Sequence, residues 1–317
     1  MPQLTLQLIR EAHARIRDKI TRTPVLTSEV LDAETGASLF FKCENLQKVG
    51  AFKARGATNA VFALPQDKAR HGVVTHSSGN HAAALARAAQ LRGIPAYIVM
   101  PTNVPQAKEA SVRRLGAHVT FCEPTIAARE AAAAKLLEET GAELVHPYND
   151  VRVMAGQGTA ALELLEDVPD LDLILCPVGG GGLLSGTAVA ARELRPGIRV
   201  IGVEPAGADD ASRSFRAGHI VPNTSPQTIA DGLRGMLGEQ TFEVIRRSVD
   251  DIVTVSDEAI VRALRTLWET LKLVIEPSGA VPYAAVAERK VEVSGKRVGL
   301  ILTGGNLDLD VLPWATD

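Results

Sequence analysis

Short β-rich runs alternate with longer alanine-rich stretches along most of this 317-residue chain. The stretches NHAAALARAAQLRG and AAREAAAAKLLEETG favour helices, and the glycine that closes each one favours a helix end. Strands that alternate with helices predict an α/β fold, with parallel sheets covered by helices on both faces. The predicted strands are SLFFKC from Ser38, GVVTH from Gly72, AYIVM from Ala96, HVTFC from His118, ELVHP from Glu143, LDLILCP from Leu171, RVIGVEP from Arg199, DIVTV from Asp251 and VGLILT from Val298.

Nine strands exceed the roughly four to six that one sheet usually holds. We therefore expect two sheets and two domains, and a hydrophobic content of 46% is enough to fill two unequal cores. No Pro-, Gly- or Ser-rich linker marks the boundary between the domains.

Composition narrows the possible partners to small molecules. The net charge is −3 with acidic and basic residues interspersed, which gives no basic stripe for nucleic acid. No segment approaches the roughly 20 apolar residues that span a bilayer, and the charged N-terminus lacks the features of a secretory signal, so no membrane association is expected. Three scattered cysteines, Cys43, Cys122 and Cys176, suit reduced thiols in a cytoplasmic protein.

The sequence VGGGG follows the apolar run LILCP and precedes a helical stretch. Consecutive glycines at Gly179–Gly182 let main-chain amides approach an anion, and the following helix N-terminus adds its positive dipole. The run does not match the nucleoside-triphosphate or dinucleotide glycine patterns. It predicts a phosphate cradle, although a glycine-rich turn without a ligand would look the same.

Three further motifs add polar groups of the kind that a cofactor needs. Lys53 follows Phe52 at the predicted start of a small-residue helix, where apolar neighbours favour the neutral, nucleophilic amine. THSSGNH ends one strand and opens a helix, where hydroxyls and amides can bind a carboxylate or simply cap the helix. Thr303 ends the last strand, before a diglycine turn.

Together these motifs resemble the fold-type II pyridoxal-phosphate enzymes, specifically the serine/threonine dehydratase and serine racemase group with its 3-hydroxyaspartate dehydratases. The resemblance runs along nearly the whole chain. It rests on FKCENLQKVGAFKARGA, THSSGNHAAALA, AGQGTAALELL, PVGGGGLLSG, VEPAGADD, TIADGL, IEPSGAV and TGGNLDLD, which occur in the family's order and at its spacing.

The resemblance implies a tryptophan synthase β-like fold with two open twisted domains. Residues 1–71 and 149–317 would form a large cofactor-binding domain and residues 72–148 a small mobile one. It also implies a homodimer with a small amino-acid substrate.

It further implies roles for individual residues. Lys53 would form the Schiff base with pyridoxal 5′-phosphate, and Phe52 would line the ring. Gly179, Gly180, Gly181 and Gly182 would hold the phosphate, Asn80 the ring hydroxyl and Thr303 the pyridine nitrogen. Ser77, Ser78, Asn80 and His81 would receive the substrate carboxylate.

Three more features bear on what the enzyme does. Ser78 matches the second acid/base residue of serine racemases, which keeps racemisation open beside dehydration. Glu204, the Ala208 carbonyl and Asp210 match the family's site for a divalent cation such as magnesium, calcium or manganese. Arg129 matches an arginine near the active site and could bind a second substrate carboxylate, or be an ordinary solvated arginine.

The favoured interpretation is a dehydratase, or ammonia-lyase, that eliminates water from L-serine, L-threonine or 3-hydroxyaspartate to give a 2-oxo acid and ammonia. The alternative enzyme is an amino-acid racemase with side dehydratase activity. A cofactor-binding or amino-acid-binding protein without catalysis is the third hypothesis, and the intact motif positions argue against it.

Overall fold

The computed structural model describes residues 3–77, 79–104 and 106–314. The strands form two sheets, with the order β1-β2-β10-β7-β8-β9 in the larger and β5-β4-β3-β6 in the smaller. The larger sheet contains β1 (Val25–Leu26), β2 (Ser38–Cys43), β7 (Leu173–Pro177), β8 (Arg199–Pro205), β9 (Asp251–Val255) and β10 (Arg297–Leu302). The smaller contains β3 (Val73–His76), β4 (Ala96–Pro101), β5 (His118–Cys122) and β6 (Glu143–Leu144).

All neighbouring strands are parallel except β1, which pairs antiparallel with β2. The predicted α/β class with mostly parallel sheets is therefore confirmed. Sequence patterning missed β1, because two residues are too few for an alternation to be visible. The strand ELVHP predicted from Glu143 is also longer than the observed β6, which ends at Leu144. The chain turns out of the sheet after Val145, where the His146 ring Nδ1 accepts from the main-chain N–H of Asn149 at 2.9 Å.

Helices cover both sheets, and polar side chains cap several of them. Thr5, Ser28, Thr125, Asp150 and Ser256 each accept from a main-chain N–H in the first turn of the helix that follows. The helices are α1 (Leu6–Ile16), α2 (Glu29–Thr35), α3 (Lys53–Phe62), α4 (Gln66–Ala69), α5 (Asn80–Arg92), α6 (Gln106–Arg114), α7 (Ile126–Thr140), α8 (Val151–Asp167), α9 (Gly182–Leu194), α10 (Asp210–Ala217), α11 (Glu239–Ser248), α12 (Asp257–Leu271) and α13 (Pro277–Ala287). Short 3₁₀ turns occupy 44–46, 48–50, 206–208 and 231–233. No described helix is both long and apolar enough to cross a bilayer.

The larger sheet has a core on each face, which is why its central strands read as unbroken apolar runs. Every residue of β7 is buried. One core includes Leu173 and Leu175 of this strand, and the other includes Ile174 and Cys176. The carboxyl ends of β7 and β10 thus open on the same edge, where ligands bind in open α/β sheets.

All four strands of the smaller sheet lie within residues 73–144. The expected division into a small domain of residues 72–148 and a large domain of residues 1–71 and 149–317 stays a prediction. The mobility of the small domain stays a prediction as well.

Candidate active site

A cavity of about 490 Å³ lies between the two sheets, at the carboxyl ends of β3, β7 and β10. It brings together most of the site residues predicted from the sequence, although these come from distant parts of the chain. Its lining includes Phe52, Lys53, Ser77, Asn80, His81, Arg129, Gly179, Gly180, Gly181, Gly182 and Thr303. Ser78 lies outside the described residues.

Lys53 is the first residue of α3, and its part-buried side chain opens into the cavity. The Nζ donates to the Pro147 carbonyl at 2.8 Å and lies 5.1 Å from the centre of the Phe52 ring. Burial lowers the Lys53 pKa to about 8, so much more of the amine is neutral near physiological pH than in an exposed lysine, although the ammonium form still predominates. The main-chain N–H of Phe52 donates to the Thr303 carbonyl at 3.0 Å, which fixes the lysine beside the end of β10.

Gly179–Gly182 form the turn between β7 and α9, and side chains would not fit there. A Cβ on Gly180 would overlap the Tyr148 ring, at 2.5 Å from Cε1, and a Cβ on Gly179 would lie 2.9 Å from the Leu233 Cα. Gly181 has φ +86°, a left-handed conformation that favours glycine. Among the described residues, the main-chain N–H groups of Gly179, Gly180 and Gly181 have no hydrogen-bond partner. These donors at the N-terminus of α9 suit a phosphate.

Thr303 lines the cavity at the end of β10 and is 2% exposed. Its Oγ1 has no partner within the part of the chain that the structure describes. A buried hydroxyl without a partner costs stability, so this hydroxyl is suited to a polar partner from a bound group. The ring nitrogen of pyridoxal phosphate is such a partner, so the Thr303 hydroxyl and the glycine turn both fit this cofactor.

The Asn80 amide is held by two side chains that the sequence interpretation did not assign. Its Nδ2 donates to the Glu276 carboxylate at 3.1 and 3.2 Å, and its Oδ1 accepts from Asn306 Nδ2 at 2.9 Å. This pairing fixes which end of the amide is the donor. Burial raises the pKa of Glu276 to about 7. Both partners occur in IEPSGAV and TGGNLDLD, so the motifs contained them, but only the tertiary structure brings them to Asn80.

The His81 ring is unsuited to the carboxylate-binding role expected for it. Its Nε2 lies 3.2 Å from the Val145 carbonyl, which requires the proton on Nε2 and leaves Nδ1 a bare acceptor. Burial holds the His81 pKa well below its usual value, and the Lys53 charge adds to this effect. The ring is therefore neutral and has no donor for an anion. Any contribution of His81 to carboxylate binding would come from its main-chain N–H at the start of α5.

A polar wall made of His76, His146 and Tyr148 was not predicted. The His146 ring packs edge-on against the rings of His76 and Tyr148, with centroid distances of 5.5 and 4.6 Å. Burial lowers the pKa of His76 and lowers that of His146 to about 4, so both rings are neutral. Burial and the charges of Asp210 and Glu130 raise the pKa of Tyr148, whose phenol stays protonated.

Arg129, in the first turn of α7, is part-buried and lines the cavity. Its Nε is buried without a partner in residues 3–77, 79–104 and 106–314. This placement argues against an ordinary solvated arginine. The guanidinium is suited to an anionic group inside the cavity.

Glu204 and Asp210 lie outside the cavity lining, and both are buried. Glu204 accepts from the main-chain N–H groups of Ala211 and Ser212 at 3.1 and 2.6 Å, so part of its role is to cap α10. Burial raises the pKa of Glu204 to about 9, and the Asp210 charge adds to the rise. Two buried carboxylates that repel each other fit a divalent cation, which would neutralise both.

Comparison with known proteins agrees with this geometry. The family model described as "Pyridoxal-phosphate dependent enzyme" matches residues 16–304. The chain is 54% identical to a β-hydroxyaspartate dehydratase of Paracoccus denitrificans, with 96% of each protein covered. It is 52% identical to a serine racemase of rice (Oryza sativa), covering 96% of this chain and 91% of that protein.

Among solved structures, maize serine racemase matches with a TM-score of 0.95 and 49% identity, covering 98% of this chain and 95% of the maize chain. The chain belongs to the fold-type II pyridoxal-phosphate-dependent enzymes.

Proposed function

We propose that this enzyme is a dehydratase that converts a β-hydroxy amino acid to a 2-oxo acid and ammonia, with 3-hydroxyaspartate as the preferred substrate among the candidates. One observation carries the proposal: the Arg129 guanidinium, whose Nε has no partner among the described residues, and the Lys53 amine line the same cavity. A substrate with a second carboxylate would satisfy the arginine. The 54% identical relative named as a β-hydroxyaspartate dehydratase supports this choice.

Pyridoxal phosphate, when bound, supplies an electron sink for the pair left when the substrate loses its α-proton. In the proposed arrangement Lys53 carries the cofactor, Phe52 lines its ring and Gly179–Gly182 hold its phosphate. Thr303 offers a hydroxyl to the ring nitrogen, and Asn80 an amide hydrogen to the ring hydroxyl. The support is the Thr303 hydroxyl and the main-chain N–H groups of Gly179–Gly181, which have no partner among the described residues, together with the place of Lys53, Phe52 and Asn80 in the same cavity lining.

Two positions would bind the two carboxylates of the substrate. Ser77 and the first main-chain N–H groups of α5 would take the α-carboxylate, because a helix N-terminus favours an anion. Ser78 and Asn80 would complete this position, and the ring of His81 would not. Arg129 would take the distal carboxylate.

Lys53 would take the α-proton. Burial places its pKa close to the pH at which the enzyme would work, so the amine can accept a proton and release it again. The β-hydroxyl would then leave as water by taking up the proton that the Lys53 ammonium releases, and the product would be an enamine. This product hydrolyses in solution to the 2-oxo acid and ammonia.

We also propose a divalent cation bound by Glu204, the Ala208 carbonyl and Asp210. The buried, mutually repelling carboxylates support this site. Magnesium, calcium and manganese all prefer such oxygen ligands.

The larger organisation is proposed as the family resemblance implies. Residues 72–148 would form a small domain that closes over the cavity, and residues 1–71 and 149–317 the cofactor-binding domain. Two copies would form a homodimer. A cytoplasmic location is supported by three free cysteines at Cys43, Cys122 and Cys176.

Amino-acid racemisation is the second candidate function. It is favoured by the 52% identity to rice serine racemase and by the close match to the maize structure. In that reaction Ser78 would return a proton to the face opposite Lys53.

The test is a substrate panel of L-serine, D-serine, L-threonine and the 3-hydroxyaspartate isomers, assayed for 2-oxo acid and ammonia with and without magnesium. Chiral analysis of the serine incubations measures racemisation in the same samples. We expect the highest kcat/KM with a 3-hydroxyaspartate isomer. Serine turnover to its enantiomer without 2-oxo acid would reject the dehydratase proposal.

The role of Arg129 is tested by Arg129→Gln. Loss of a charged hydrogen-bonded pair should lower kcat/KM for 3-hydroxyaspartate by about 10- to 150-fold and leave serine nearly unchanged. Lys135→Gln is the matched control, because Lys135 is an exposed cation on the same helix. Equal losses on both substrates would contradict binding of a second carboxylate.

A further inference from the structure

A network of charged side chains lies buried behind the helix that begins with Lys53. Arg55 is fully buried and donates to both oxygens of Glu44, at 2.7 and 2.8 Å. It also donates to both oxygens of Glu163, at 2.8 and 2.7 Å. Lys42, also fully buried, donates to Glu163 at 2.8 Å. We call Lys42, Glu44, Arg55 and Glu163 the buried quartet.

The quartet has two positive and two negative members, so its formal charge is zero. Burial alone would lower the pKa of Arg55, but Glu44 and Glu163 raise it overall. Burial alone would raise the pKa of Glu163, but hydrogen bonds from His13 and Arg55 and the charges of Arg55 and Lys42 lower it overall. Arg55 and Glu163 therefore stay ionised at all ordinary pH values.

Neutral groups and one histidine complete the surroundings of the network. Thr23 Oγ1 donates to Glu44 at 2.6 Å, and Arg55 donates to Thr159 Oγ1 at 3.1 Å. The His13 Nε2 of α1 lies 3.6 Å from Glu163 Oε1. The network thus joins α1, β2, the 3₁₀ turn at 44–46, α3 and α8.

The same two helices determine where the Lys53 amine lies. Lys53 begins α3, and its Nζ donates to the carbonyl of Pro147, four residues before α8 begins. Arg55 lies two residues after Lys53 and joins α3 to Glu163 on α8. A shift of α3 along α8 would therefore move the amine relative to its acceptor.

We propose that Arg55 is a positioning residue for Lys53. The hydrogen bonds from Arg55 to Glu44 and Glu163 hold α3 in place, so that the Lys53 amine faces the cavity and Pro147. Stability alone explains such a network poorly, because well-packed apolar residues are often as stabilising as a buried ion pair. A planar guanidinium bonded to two carboxylates fixes direction as well as distance. The proposal does not depend on which amino acid the enzyme consumes.

The test measures the chemical reactivity of the Lys53 amine in the full-length protein without added cofactor. Competitive labelling with acetic anhydride across pH, read by mass spectrometry of the Lys53 peptide, gives the midpoint of its titration. The Lys53 charge acts on the rings of His81 and His146, and burial keeps both rings neutral near neutral pH. They would not obscure the midpoint.

Three variants separate positioning from charge and from stability. Arg55→Lys keeps the charge but loses the planar fork, and Glu163→Gln keeps the shape but leaves an unbalanced positive charge. Asn59→Ala is the control, since it removes a 2.7 Å bond to the Arg152 carbonyl from the same helix pair. Circular dichroism identifies the temperature at which all variants are folded.

Positioning predicts that Arg55→Lys and Glu163→Gln both raise the Lys53 midpoint by at least about one pH unit, since a displaced amine is better solvated. The labelling rate at pH 8 would fall roughly fivefold, because fewer lysines are neutral. Asn59→Ala should leave the midpoint unchanged. A lowered Lys53 midpoint in Glu163→Gln would show that the network acts on the amine by its charge. An unchanged Lys53 midpoint in a folded Arg55→Lys would show that the network has a structural role only. Either result overturns the proposal.

Discussion

Replacement of Gly180 with alanine is expected to weaken cofactor binding through a collision on the side of the turn that faces Tyr148. The new methyl group would overlap the Tyr148 ring, at 2.5 Å from Cε1, whereas carbon atoms are in favourable contact at about 3.5–4.0 Å. The ring or the turn must therefore shift by about 1 Å. Tyr148 has little freedom to yield, because its ring also packs edge-on against His146.

Overpacking of this kind costs about 1–3 kcal/mol. If the turn takes up the strain, the amides of Gly179–Gly182 move from the phosphate position, and the same free energy appears as a rise of roughly 5- to 150-fold in the cofactor Kd. Titration of the protein with pyridoxal phosphate, followed by absorbance, measures this change.

The control is the double variant Gly180→Ala with Tyr148→Ala, compared with each single variant. If the collision with Tyr148 is the cause, the double variant binds the cofactor more tightly than Gly180→Ala alone. Wild-type affinity in Gly180→Ala, or no recovery in the double variant, would refute the reasoning.

Three other perturbations test separate parts of the account. Thr303→Val should stabilise the cofactor-free protein by up to about 1 kcal/mol, because it removes a buried hydroxyl without a described partner. The same variant should weaken cofactor binding, whereas Thr303→Ser should retain it. Thermal unfolding and cofactor titration of Thr303→Val should therefore change in opposite directions. The Glu276 pKa is raised from 4.5 to about 7, so the contribution of Glu276 to stability is complete below pH 4.5 and is lost as pH rises through 7. Relative to Glu276→Gln, the free energy of unfolding of the wild type should fall by about 2–3 kcal/mol between pH 4.5 and 8. A difference between the two proteins that does not change with pH would contradict this. Magnesium or calcium at 100 times its Kd should stabilise the wild type by about 2.7 kcal/mol and Glu204→Gln much less, and equal shifts in Tm would argue against the proposed cation site.

The sequence predicted those parts of the site whose chemistry is local. A glycine run after a buried strand and a lysine at a helix start are readable because the neighbouring residues along the chain create their environment. The class of the fold was predictable for the same reason, since strand and helix periodicities are local patterns.

Residues whose role depends on a distant partner were not predictable in this way. Glu276 and Asn306 reach Asn80 only after α13 and the end of β10 meet α5. The acceptor state of the His81 ring depends on the Val145 carbonyl, 64 residues away along the chain. The resemblance gave His81 a position in the site, but only its hydrogen bond indicates that the ring cannot donate to a carboxylate.

The central claim is that the side chain at position 53 binds pyridoxal phosphate covalently. Reduction of the cofactor-loaded protein with borohydride, followed by digestion and mass spectrometry, identifies the modified residue directly. The account predicts a single pyridoxyl adduct, on Lys53, which disappears in Lys53→Ala. An adduct on another lysine, or none in a protein saturated with cofactor, would contradict it.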